Sequence, residues 1–122
     1  MDERRTLRVS EAVKEELAEL VGFELDDPRL ATVGVTEASV SPDARYAHVK
    51  VAAGGGEREQ RQAMAALEHA QAYLRHELAV RLSLRRVPEL HFALDRNAGA
   101  DSRIDLLLKR AKKSRGRAEN QP

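Results

Sequence analysis

The chain predicts an α+β domain, with helices packed on one face of a small three-stranded mixed sheet. Apolar residues recur at helical spacing near the start, then alternate with polar ones over two neighbouring segments. A long helical stretch follows, and a last alternating segment comes after it. The 122 residues suit one domain able to bury a core. Apolar residues make up 42 % of the chain and charged residues 34 %, which is enough of the former to fold. With no Trp, two Phe and two Tyr, the core must be built from Leu, Val and Ala.

Each element has its own signal. Val9, Val13, Leu17, Leu20 and Val21 form one apolar stripe, which predicts a first helix over about residues 7–21, with Gly22 as its C-cap. Asp26-Asp27-Pro28 marks a turn, because the proline disfavours helical backbone at Asp27. Thr32 to Ser41 is rich in Val and Thr. Ser41-Pro42-Asp43-Ala44 has turn chemistry, and Tyr46 to Val51 places Ala47, Val49 and Val51 on one face and Tyr46, His48 and Lys50 on the other. The pair predicts an antiparallel hairpin. From Glu57 to Leu82 the pattern is helical, with Leu67, Leu74, Leu78 and Leu82 as its stripe. A straight helix of those 26 residues would run ~39 Å, against ~26 Å for an eight-residue strand. A bend within it follows. Val87 to Leu94 alternates again and predicts a third strand opened by Pro88. Asp101 can cap a last helix striped by Ile104, Leu107, Leu108 and Ala111, before a basic tail. The order α-β-β-α-α-β matches the KH fold in its second topology. The expected division is a domain over residues 1–108 and a tail over 109–122.

Several chemistries are excluded by what the residues lack. Without cysteine there is no disulfide framework and no thiol nucleophile, in keeping with a reducing cytoplasm. No apolar run approaches the ~20 residues of a membrane span. His69 and His76 are seven apart, not the four that set metal ligands on adjacent turns, so no metal is expected. Asp26 and Asp27 suit capping or a charge contact with Arg29 better than acid–base work. Gly54-Gly55-Gly56 lacks a phosphate-loop lysine and is followed by glutamates, so it is a strand-to-helix link.

Charge is what remains. Residues 1–56 hold 7 Lys/Arg against 11 Asp/Glu, whereas residues 95–122 hold 8 against 4, a polarity that directs positive charge to the C-terminal end. Arg75, Arg81, Arg85 and Arg86 have only Glu77 and Glu89 as acidic neighbours in sequence. Ala65, Ala72 and Ala79 make a smooth outer face on the long helix, with Arg61 and Arg75 beside it, a geometry that lets a phosphate backbone come close. Lys109, Arg110, Lys112, Lys113, Arg115 and Arg117 add six cations with no acid among them. Aromatic side chains for stacking on bases are nearly absent, so recognition would rest on shape. The alternative is a protein-interaction module using the hairpin edge or the acidic first helix, with the tail serving solubility.

Two stretches, "DDPRLATVGVTEASVSPDARYAHVKV" from Asp26 and "YLRHELAVRLSLRRVPELHFALD" from Tyr73, followed by "RIDLLL" from Arg103, resemble the bacterial ribosome-binding factor A family. The resemblance runs from about Arg4 to Leu108. It implies a KH-type domain without enzymatic activity or cofactor, monomeric off the ribosome. Such a domain binds the immature small (30S) subunit and contacts 16S rRNA near the neck and its 5′ helix. The family's Ala-x-Gly joint between its two middle helices reads Ala70-Gln71-Ala72 here. Alanine in place of that glycine implies a cost to the bend of about 1 kcal/mol. Arg75 is the leading expected rRNA contact, with Arg81, Arg85 and Arg86 next. Charge reversal at Arg75, read as an exposed helix position, is expected to weaken RNA binding without moving the melting transition.

Overall fold

A computed structural model describes residues 3–96. The first helix, α1, spans Glu3–Glu19 and passes into one π turn, Leu20–Glu24. A single 3-10 turn, Pro28–Leu30, leads into β1, Val33–Val40, and a tight connection leads to β2, Tyr46–Ala53. Two helices follow, α2 over Glu57–His69 and α3 over Gln71–Leu82, and β3 over Glu89–Leu94 completes the sheet. This is the predicted α-β-β-α-α-β order. The predicted last helix from Asp101, the boundary at residue 108, and the tail cations lie outside the described residues.

The first helix departs from expectation at both ends. It begins earlier, and Gly22 lies within the π turn rather than capping a helix. The apolar stripe explains the extension, because it continues through Leu20 and Val21, both fully buried, to Leu25, which packs against the core. The Leu25 N–H closes the wide turn on the Leu20 carbonyl at 2.9 Å.

β2 is the central strand, antiparallel to β1 and parallel to β3. Its alternation is as read: Ala47, Val49 and Val51 are buried, and Tyr46, His48 and Lys50 are exposed. The Ala44 N–H donates to the Ser41 carbonyl at 2.9 Å, which closes the hairpin turn. A bulge at Thr36 breaks the β1–β2 register. It sets the Thr36 hydroxyl 2.7 Å from Oδ2 of Asp95, just beyond β3, so one side chain ties the outer strands together across β2.

The helices bury one face each against the sheet. Val13 and Leu17 come from α1, Ala63, Ala66 and Leu67 from α2, and Leu74 and Leu78 from α3. Every buried hydrophobic residue among those described is Leu, Val or Ala, the aliphatic core that the composition requires.

Candidate nucleic-acid interface

The long helical segment breaks at Ala70, which adopts φ −85° and ψ 0° and belongs to neither helix. Those angles lie in a region open to any L-residue, so the break needs no glycine. Ala72, where the family pattern has glycine, is already in the first turn of α3 and exposed. The expected penalty for alanine at that position therefore does not arise. Gln71 does the anchoring: its Nε2 donates to the Leu90 carbonyl and its Oε1 accepts from the Leu90 N–H, both at 2.9 Å. A side-chain amide thus pairs with the free edge of β3 as another strand would. The sequence offered no signal for this role. The break also interrupts the alanine stripe, leaving Ala65 and Ala72 exposed on two separate helices and Ala79 half-buried.

Arg75 is one turn further along α3. It is half-buried rather than exposed, and its Nη2 donates to the Val87 carbonyl at 3.0 Å, just ahead of β3. Its Nε is buried without a partner. Beside it opens a cleft of about 440 Å³ lined by Gln71, Glu68, Glu89 and the edge of β3. Arg75 therefore combines a structural tie with a charge at the joint.

Arg81 is not an unpaired cation. Its guanidinium meets Glu24 at 2.8 Å, Glu77 at 3.3 Å and Glu16 at 3.4 Å, and its side chain is only 27 % exposed. Glu24, followed by Glu77 and Glu16, raises its pKa further above the usual arginine value. Counting acidic residues close in sequence missed two of these three, which come from α1 and the π turn. On an ideal α-helix Glu24 would sit about 80° round from Glu16. The wider π turn takes up that angle and brings both carboxylates to one guanidinium. Arg81 is a clasp between α1 and α3.

Past Arg81 the helix ends at Ser83, whose φ of 52° and ψ of 43° are left-handed. The Leu84 N–H returns to the Ala79 carbonyl at 3.2 Å, and the chain reverses. Arg85 and Arg86 are exposed beyond this turn, with no ion-pair partner among the described residues. They line a cleft of about 300 Å³ with Arg5 of α1, floored by Val9, Val40 and Pro88. No acidic residue among those described lines it. Arg5 was not legible from sequence, because the first helix was expected to begin only after it.

Asp27 to Leu30, within the first of the two stretches that carry the resemblance, has a structural use. Oδ1 of Asp27 accepts the Arg29 N–H at 2.9 Å, capping the 3-10 turn, and the Arg29 guanidinium meets Oδ2 at 2.7 Å. These bonds from Arg29 lower the pKa of the Asp27 carboxyl. Capping and the charge contact with Arg29, expected as alternatives, both occur. The turn seats Leu30 in the core, fully buried. Lys109, Arg110, Lys112, Lys113, Arg115 and Arg117 lie outside the described residues. No helix among the described residues is long and apolar enough to cross a membrane.

A family model described as ribosome-binding factor A matches residues 5–108. A Solibacter usitatus protein named ribosome-binding factor A is 61 % identical over 120 residues, 98 % of each chain. The crystal structure of ribosome-binding factor A from Thermus thermophilus superposes with a TM-score of 0.68 at 32 % identity, covering 77 % of this chain and 99 % of that one. The Thermus thermophilus factor as fitted into the cryo-EM map of a 30S complex superposes at 0.62 with 34 % identity, covering 74 % and 94 %. With the KH-like order, the broken middle helix and matches over nearly the whole chain, this protein belongs to the ribosome-binding factor A family.

Proposed function

We propose that this chain is a non-catalytic assembly factor of the cytoplasm that binds the immature small ribosomal subunit. It contacts 16S rRNA near the neck and 5′ helix and assists its maturation. Family membership supports the reading, as does its likeness to a relative fitted into a 30S complex. The observation on the molecule that carries it is the exposed pair Arg85 and Arg86, which line a cleft with no acid among its described lining residues. Guanidinium groups so placed suit phosphate oxygens, and such contacts set position rather than sequence. Arg75 adds a charge at the joint, whereas Arg81 is engaged within the fold. The tail residues Lys109, Arg110, Lys112, Lys113, Arg115 and Arg117 supply a further salt-dependent attraction.

Assistance means binding one rRNA arrangement better than another, since only differential affinity shifts an equilibrium. Co-sedimentation with immature and mature small subunits tests this, with stronger retention on the immature particle expected and equal retention overturning it. Replacing Arg85 and Arg86 together by alanine weakens binding to immature particles without moving the melting transition. Removing residues 109–122 should flatten the dependence of log K on log salt, whose slope is about −4 for six phosphate contacts on single-stranded RNA. An unchanged slope would assign the tail to solubility.

A further inference from the structure

The helices cover one face of the sheet, and the other face carries a cluster that the reading above does not use. Tyr46 and His48 project from β2, and His91 projects from β3 directly beside His48 in register. The His91 ring lies 5.0 Å from that of Tyr46, tilted by 57°, and 5.5 Å from that of His48, edge to face. The three rings stay open to solvent, with Tyr46 39 % exposed and the His91 side chain 43 % exposed. Ser39 is the β1 neighbour of His48, and a residue that small leaves its ring uncovered. Three of the chain's few ring side chains are thus gathered on a surface where the fold gives them nothing to cover.

The surroundings favour a polyanion with flat groups. Lys50 continues the row beyond His48, and Arg45 precedes Tyr46, 66 % exposed and only loosely paired with Asp43 at 3.9 Å. Glu37 pairs with Lys50 at 3.6 Å, and Glu89 lies 3.3 Å from His91, a contact that is ionic only when the imidazole carries a proton. The platform also continues from the arginine cleft, because Ala44 and Pro88, just ahead of β2 and β3, line that cleft. Tyr46 and Glu89 are the next outward residues on these two strands. From Tyr46 to Lys50 the row extends ~13 Å, room for two or three bases.

We infer that the open sheet face is a stacking platform for unpaired bases of an RNA strand whose phosphates engage Arg85 and Arg86 in the adjoining cleft. The inference rests on the RNA-binding reading and adds to it a single-stranded specificity. Ring faces accept any base, so the preference is for unpaired over duplex RNA rather than for a sequence.

The test titrates the full chain with a short unstructured ribo-oligonucleotide and with an RNA duplex of equal length, at low salt. The ring proton signals of Tyr46, His48 and His91 move upfield with the single strand and not with the duplex. His91→Ala and Tyr46→Ala each lower single-strand affinity about tenfold. Their salt slope stays unchanged because no phosphate contact is lost. Tyr46→Phe, which keeps the ring, retains binding. Stationary ring signals together with undiminished affinity in His91→Ala would overturn the inference. So would ring signals that respond to RNA-free small-subunit proteins in place of the oligonucleotide. Retention of the same variants on immature subunits, measured in parallel, separates the two readings: wild-type retention with an inert platform sinks the platform alone.

Discussion

Ser83 holds a left-handed backbone at the turn that throws Arg85 and Arg86 outward. A side chain there strains against the following carbonyl, and serine offers no special tolerance for it. Ser83→Gly is expected to raise stability by about 0.5–1 kcal/mol, the relief exceeding glycine's entropic cost, and urea unfolding measures it. Arg81 makes the opposite case, a residue whose neighbours require it. Arg81→Met keeps the side chain's bulk and leaves Glu16, Glu24 and Glu77 facing one another. Its melting temperature should fall below that of the wild type at low salt, and the gap should narrow as added salt screens the carboxylates. A drop indifferent to salt would show that packing, not charge, is what Arg81 supplies. Arg75 is unsuited as a clean probe of RNA binding, since charge reversal there also breaks the bond to Val87.

Among the elements, the α2–α3 joint separates what periodicity reveals from what it hides. The need for a bend was legible because 26 helical residues overrun so short a sheet; periodicity did not locate it, whereas the resemblance set the joint at Ala70-Gln71-Ala72, and the helix breaks at the first of these. Helical spacing carries no mark for one residue at ψ 0°, and within the triplet the family's glycine falls at Ala72 rather than Ala70. Ala72→Gly should therefore cost up to about 1 kcal/mol, as in any exposed helical turn, instead of relaxing the joint. A stabilised variant would return the strain to that position. Gln71 was visible only as the middle letter of a triplet. Gln71→Leu removes both partners of the Leu90 peptide in a partly buried place, an expected loss of about 1–3 kcal/mol on denaturant unfolding. The hairpin was the most legible pair, since strict alternation fixes a face whatever the loop. Its Thr36 bulge was not, because an extra residue leaves the composition of the strand unchanged.

For the whole molecule, composition foretold the core better than it foretold the surface. Few aromatics mean a core of small aliphatic parts, and the structure fills it with Leu, Val and Ala from every element. Such a core has little slack, so Leu17→Ala, fully buried in the last turn of α1, should cost about 2–5 kcal/mol by thermal or denaturant unfolding. The surface was harder because pairing is three-dimensional. Arg81 and Arg85 look alike in a string of letters, yet only the first meets carboxylates from distant turns. The rings of Tyr46 and His48 were assigned to an outer face by alternation, but the register that sets His91 beside them belongs to the sheet. One arrangement has a consequence beyond ligand binding. β3 is a border strand, and bare amide and carbonyl groups along a border invite a second molecule to add on and start an aggregate. By occupying the Leu90 peptide with its own amide, Gln71 withholds that template, so a chain that loses this glutamine should become prone to clumping as well as less stable.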